Sequence, residues 1–248
     1  MRLGAVLAPF SPAQQQRPLA DRARRYEDAG FTSLWAASSI GRGVFMNDPF
    51  VALSVAATVT RNVELGTGII QVPLHHPVEL AHRVLSPVEV CGDRLILGVG
   101  AGSSEPDFAA LGRDYTKRLD SLHRNLAPLR ALLRTGEWGE ISLNPIPRRS
   151  PPIFYGTWGG DIERAAREFD GWIASARFQQ AERLETRLKR YRAAGGRRAV
   201  VTTIIVNPDS DLGKLRARLQ QYADYGFDDA VIMFMPGAPD PERVRALA

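Results

Sequence analysis

The chain has 248 residues, of which 44% are hydrophobic, a formal net charge of +5 and a single cysteine, Cys91. That composition supports a large core and excludes an intrachain disulfide or a cysteine metal cluster. Basic residues are spread over helical stretches, as in Arg22, Arg24 and Arg25 or Arg183, Arg187, Lys189 and Arg190. Others gather at a helix end and the turn after it, as in Arg192, Arg197 and Arg198, where the helix dipole favours them, so nothing resembles a nucleic-acid-binding stripe.

Short apolar runs alternate with helical patterns along the whole chain. The first strand reads Leu3 to Ala8 and stops at Pro9, with no leader pattern before it. A helix follows from about Pro18 to Ala29, with Gly30 at its left-handed cap. Phe31 to Ala37 is the second strand. Asp48-Pro49 opens the second helix, which runs to Thr60. Val63 to Ile70 is the third strand, and Pro77 opens the third helix, which Pro87 should end or kink. Leu95 to Gly100 is the fourth strand, and a long helix covers Arg118 to Arg134 with Leu119, Leu122, Leu126, Leu129 and Leu133 on one face. Strand five is Ile153 to Gly156, and helix five is Asp161 to Phe169. Strand six is Gly171 to Ala174, and helix six is Phe178 to Ala194. Val200 to Val206 and Ala230 to Phe234 are the last strands, with helix seven around Leu212 to Tyr222 between them and a short helix near Pro239.

Eight strand–helix units in one domain, residues 1–248, predict an α/β fold of the (β/α)8 TIM barrel type. The strands are continuous Val, Ile and Leu runs, as expected for strands covered on both faces. An open doubly wound sheet would need a glycine-rich fingerprint after strand one. The chain has Pro9-Phe10-Ser11-Pro12 there. Tyr26, Asp28, Gly30 and Phe31 recur at the same spacing as Tyr222, Asp224, Gly226 and Phe227.

A barrel of this kind works at the C-terminal ends of its strands. The candidates there are Pro9 and Phe10; Ser38, Ser39 and Arg42; Gln71, His75 and His76; Gly100 to Glu105; Tyr155 to Gly160; Ser175 and Arg177; Asn207; and Met235 with Pro236. Gly156-Thr157-Trp158-Gly159-Gly160 has the composition of a phosphate loop: glycines turn backbone amides outward, Thr157 adds a hydroxyl, and a helix starts beyond. The other reading is a plain turn. Trp158 is expected to line the pocket, whereas Trp35 and Trp172 read as core. Gly98, Gly100 and Gly102 suit either close approach of a flat ligand or tight helix packing. His75 and His76 could donate to a ligand, although His76 before Pro77 equally suits a helix cap. Glu105 reads as a solvated loop residue. The four histidines lack metal-ligand spacing, so no metal is expected.

The segment Ala29-Gly30-Phe31-Thr32-Ser33-Leu34-Trp35, then Asp48-Pro49, Thr60-Arg61, Leu65-Gly66-Thr67-Gly68 and His76-Pro77, is similar to the bacterial luciferase-like superfamily of flavin- and F420-dependent oxidoreductases. Arg94, Leu97 to Gly102, Pro151-Pro152-Ile153, Gly156 and Phe169-Asp170-Gly171-Trp172 continue the resemblance over about residues 30 to 175. It implies the same barrel, a ring lying near Gly66, Thr67, Gly68 and Ile69 with a non-prolyl cis peptide nearby, and phosphate contact at Gly156 to Gly160. It also implies dimers formed through early helices. The chain departs from the family where deazaflavin-dependent relatives carry Asp-His after strand two: it has Ser38-Ser39. Cys91-Gly92-Asp93-Arg94 replaces Ser-Gly-Gly-Arg, leaving Arg94 available to an acid. The long late insertion of larger relatives is also missing, which makes this a compact variant.

The resemblance predicts a cytoplasmic FMN-dependent monooxygenase that receives reduced flavin from a separate reductase and acts on a small organic substrate. His75, His76 and Ser39 would stand near the reacting face. Gly66, Thr67, Gly68, Ile69, Gly100, Gly102 and Gly156 to Gly160, with Thr157 and Trp158, would hold the cofactor. The alternatives are hydride transfer with coenzyme F420 and a non-catalytic flavin-binding barrel. No nucleic acid and no membrane are expected as partners; a second copy of the chain is.

Overall fold

The computed structural model describes residues 1–7, 18–41, 43, 45–147, 149–177 and 179–247. Ala8 to Pro12, Arg42 and Phe178 therefore lie outside the described residues. The strands are β1 (Arg2–Val6), β2 (Ser33–Ala36), β3 (Glu64–Thr67), β4 (Leu95–Gly100), β5 (Ile153–Gly156), β6 (Gly171–Ser175), β7 (Arg198–Val206) and β8 (Asp229–Phe234). Each pairs in parallel with the next, and β8 pairs with β1, so the sheet closes on itself. The helices are α1 (Leu19–Asp28), α2 (Pro49–Val59), α3 (Pro77–Cys91), α4 (Arg118–Thr135), α5 (Ile162–Glu168), α6 (Ala181–Ala193), α7 (Leu212–Tyr225) and α8 (Pro241–Arg245). The protein is thus a (β/α)8 barrel, with a short extra helix at Glu105–Ala110 between β4 and α4. Among the described residues, no helix is long and apolar enough to cross a membrane.

The structure departs from the sequence reading at several points. Helix α3 continues through Pro87 to Cys91 and stops at Gly92, whose φ is +58°. Val84, Leu85, Val88 and Cys91 are buried around the proline, so packing outweighs the one lost backbone bond. The third strand is broken: after Thr67 the Gly68–Ile69 peptide is cis, and Ile70–Gln71 pairs with Val99 and Gly100 of β4. Leu119, placed on the apolar face of the long helix by its spacing, is exposed at the first turn of α4. A two-stranded ribbon, Glu137–Trp138 with Ile141–Ser142, lies outside the barrel and was not foreseen.

The Tyr–Gly–Phe echo is a repeated helix cap. Phe31 N–H donates to Tyr26 O and Phe227 N–H to Tyr222 O, at 3.0 and 3.1 Å. Gly30 and Gly226 supply the positive φ that ends each helix, at +88° and +96°. Each tyrosine meets its phenylalanine edge-on, at 5.6 and 6.0 Å between ring centres.

Two apolar layers hold the fold. The outer one lies between strands and helices and includes Cys91, whose thiol is buried and pushed up to about 11 by that burial. The inner one fills the barrel with Val6, Trp35, Ile96, Phe154, Ile173, Val200 and Val231. Glycines make room for the large rings. A Cβ on Gly66 would sit 2.5 Å from the Trp35 ring, and one on Gly171 would sit 2.6 Å from Phe154. Trp35 Nε1 finds Ser33 Oγ at 2.9 Å, so its polar atom is satisfied inside the barrel.

At the N-terminal end of the barrel, Arg198 donates to both oxygens of Glu64, at 2.8 and 2.6 Å, and to Asp229 at 2.8 Å. Arg2 adds to Asp229 at 2.9 Å. Burial opposes the charge on Glu64, but Arg198 and Arg2 outweigh it and hold the carboxyl below its ordinary range. Its stabilising effect should be complete above about pH 4.5 and disappear as pH falls through the depressed folded-state value. Glu64→Gln should cost about 2 kcal/mol at neutral pH, with the difference from wild type shrinking in acid, measured by urea unfolding across pH. Gly98→Ala should destabilise by about 1–3 kcal/mol, because its Cβ would overlap the Thr67 carbonyl oxygen; the same unfolding measurement reads it.

Candidate active site

The three glycine-bearing segments meet at the C-terminal end of the barrel. Gln71, Gly100 and Gly156 occupy adjacent ladder positions on neighbouring strands. Ile69 lies across them: a Cβ on Gly100 would stand 2.9 Å from its Cδ1, and one on Gly156 would stand 2.8 Å from its Cγ2. Gly68 and Ile69 keep partial exposure, while Gly66 and Gly100 are buried. The glycines of this floor let the Ile69 side chain pack straight onto the strand ends, with the partly exposed Gly68–Ile69 backbone beside it. Thr67 serves that floor indirectly. Its buried hydroxyl donates to Gly98 O and accepts from Gly98 N–H, both at 2.8 Å, which fixes β3 to β4 below the floor.

The loop after β5 forms one edge. Trp172 Nε1 donates to Thr157 O at 3.1 Å and Thr157 Oγ1 accepts from Gly159 N–H at 3.3 Å. Gly159 adopts φ +112°, and a Cβ there would overlap the Arg187 side chain of α6. Gly160 is open around its missing side chain. Trp158 is exposed. Arg187 was read from the sequence as one of many helix charges; its position over a glycine loop could not be seen in the spacing. Burial, then Arg183 and Arg190, push its guanidinium below the ordinary value. Arg187 also donates to Gln179 Oε1.

Among the described residues, four buried polar atoms around this face have no hydrogen-bond partner: Ser39 Oγ, Gln71 Oε1, Ser175 Oγ and Gln179 Nε2. Orphaned polar atoms are rare in folded interiors and need an explanation. Ser175 pairs with Thr202 of β7, where the register slips and Thr203 takes φ +62°. Bulges of this kind concentrate next to active sites. Together, a cradle without Cβ atoms, a glycine loop under a cation and unmet donors and acceptors fit a flat, phosphorylated cofactor.

The histidines stand further out. His75 follows the 3-10 turn Val72–Leu74, with its Nδ1 3.6 Å from Glu79 and 3.4 Å from Arg83. Arg83 pairs in turn with Asp48, the cap of α2. Burial and then Arg83 lower the His75 pKa, which keeps the ring neutral. His76 is exposed, and its Nδ1 accepts from Val78 N–H at 3.3 Å as the cap of α3. Glu105 is exposed at the start of the short helix. Arg94 does not meet an acid: it donates to Thr60 O, Thr60 Oγ1 and Ala57 O at the end of α2, at 3.2, 3.1 and 2.8 Å. Asp107, which sequence reading passed over, is fully buried; it accepts from Gln71 Nε2 at 2.8 Å and Gly41 N–H at 2.9 Å. No motif announces it, because its partners come from two distant loops. Among the described residues no cluster of His, Cys, Asp or Glu could hold a metal ion.

Known proteins share this architecture. The monooxygenase RslO1 from Streptomyces bottropensis superposes with a TM-score of 0.81 at 17% identity, covering 100% of this chain and 97% of that one. An F420-dependent secondary alcohol dehydrogenase, solved with an F420–acetone adduct, gives 0.82 at 12% identity, covering 100% and 98%. In sequence, 4-hydroxyprotoasukamycin monooxygenase from Streptomyces nodosus subsp. asukaensis is 34% identical over 164 residues, 59% of this chain and 44% of that protein. The chain spans less than half the length of that relative. The sequence profile described as luciferase-like monooxygenase matches residues 1–239, and the chain belongs to that family.

Proposed function

We propose that the chain is an FMN-dependent monooxygenase that uses reduced flavin from a separate reductase, together with O2, on a small organic substrate. The convergence of the glycine floor with the Gly156–Gly160 loop under Arg187 carries this reading. It sets the Ile69-covered strand ends beside a glycine loop whose amides and neighbouring cation suit a phosphate. The similarity to a monooxygenase at 34% identity favours oxygen chemistry. Ser38-Ser39, where deazaflavin-dependent relatives carry Asp-His, weighs against the second reading, hydride transfer with F420.

The bound flavin would supply the redox chemistry; the chain supplies position and environment. Arg187, Gly159, Gly160 and Thr157 would hold phosphate. Gly66, Gly68, Ile69, Gly100 and Gly102 would lie under the ring, and Trp158 would cover one side. Ser39 Oγ, buried without a partner, would donate to or accept from the reacting ligand. His75, beside Arg83 and Glu79, would be the histidine free for a chemical role, while His76 holds the helix start. A second copy would dock on α2, which is apolar on nearly all sides and leaves Val51 58% exposed.

Purified protein titrated with FMN, riboflavin and F420 tests the cofactor reading. FMN should bind at micromolar concentration and riboflavin more weakly. Arg187→Met should weaken FMN by about tenfold, the value of one charge-assisted hydrogen bond, and leave riboflavin unchanged. Binding of F420 but not FMN would transfer the assignment to the second reading. Light scattering should give a dimer for wild type and a monomer for Val51→Lys; a monomeric wild type would remove the partner copy.

A further inference from the structure

The two orphaned glutamine amides are held by opposite charges. Gln179 turns its oxygen to the Arg187 guanidinium, and Gln71 turns its nitrogen to the Asp107 carboxylate. Gln71 is the more constrained. Its Nε2 gives one hydrogen to Asp107 at 2.8 Å and lies 3.2 Å from Ser38 O, so both donors are used. Asp107 is itself fixed by Gly41 N–H and, at 3.4 Å, Ile40 N–H. A carboxylate accepts only, so this amide cannot flip. Oε1 must point the other way, toward Gly102, and it has no partner among the described residues. Gly102 has φ +79°, and any Cβ on it would overlap Oε1. The pair thus leaves one buried acceptor unpaired among the described residues.

We propose that Gln71 offers this acceptor to the imide N–H of the cofactor ring, with Asp107 as the positioning residue that sets the amide. The inference rests on the cofactor reading above and holds for FMN and F420 alike, since both rings carry the imide. Scale supports it. Gln71, Gly100 and Gly156 sit on successive strands about 4.8 Å apart, so the acceptor's strand lies on the order of 10 Å from the start of the phosphate loop. A flavin spans a similar distance from its imide edge to its tail. Oε1 is buried against the Gly102 turn, which carries no side chain, so the ring edge would have to enter at that turn.

The test measures dissociation constants for FMN and 3-methyl-FMN, whose imide hydrogen is replaced, with a thermal melt of each variant. Wild type should prefer FMN by about tenfold, one hydrogen bond's worth. Gln71→Leu should lose that preference and bind both flavins like the weaker one. Gln71→Glu should keep it: a proton shared with Asp107 replaces the amide hydrogen, and the outward oxygen still accepts. Its preference should decline as pH rises and the two carboxylates repel. Asp107→Asn should abolish the preference by letting the Gln71 amide turn over. Wild type binding FMN and its methylated analogue equally, or a folded Gln71→Leu variant that still discriminates, overturns the assignment of Gln71 alone. Absence of binding to both FMN and F420 overturns the cofactor reading and this assignment with it.

Discussion

The mouth of this barrel depends on the paired hydrogen bonds between the Thr67 hydroxyl and the backbone of Gly98. They join β3 to β4 where the third strand stops and the chain turns through Gly68 and Ile69. Only a glycine at 98 lets the Thr67 carbonyl come so close. From that junction, Ile70–Gln71 re-enters the sheet one step further on, Ile69 settles over Gly100 and Gly156, and the floor of the site exists. The inner layer follows the same rule: where the barrel holds a large ring, its neighbour is a glycine.

The two ends of the barrel are built differently. At the N-terminal end, Arg198, Arg2, Glu64 and Asp229 satisfy one another, and burial costs are offset by several charge-assisted bonds. At the C-terminal end, Ser39, Gln71, Ser175 and Gln179 each retain a polar atom without a partner among the described residues, and burial with Arg183 and Arg190 lowers the Arg187 pKa. Charge pairing is concentrated at one end and buried polar atoms without partners among the described residues at the other, the division expected for this fold.

Much of the fold was legible because each unit announces itself locally. Asp48-Pro49 starts a helix, Gly30 and Gly226 end two, and runs such as Leu95 to Gly100 are apolar throughout. The candidate floor was legible as glycines at strand ends. What escaped was set by tertiary contact. Pro87 looks like a stop, yet the side chains around it are buried strongly enough to carry the helix past it. Arg187 looks like a surface charge until α6 is laid beside the β5 loop. Asp107 gains its meaning from Gln71 and Gly41, which are 36 and 66 residues away.

Cys91 has a practical consequence. Its sulfur is enclosed between α3 and α2, near the Leu53 carbonyl at 3.9 Å, and its thiol ionises only near pH 11. Thiolate is the reactive form, so ordinary alkylating dyes should pass the native chain by. A cysteine introduced on the exposed rim would then be the single labelled position, and the mouth could be followed by fluorescence with no need to remove the natural thiol first.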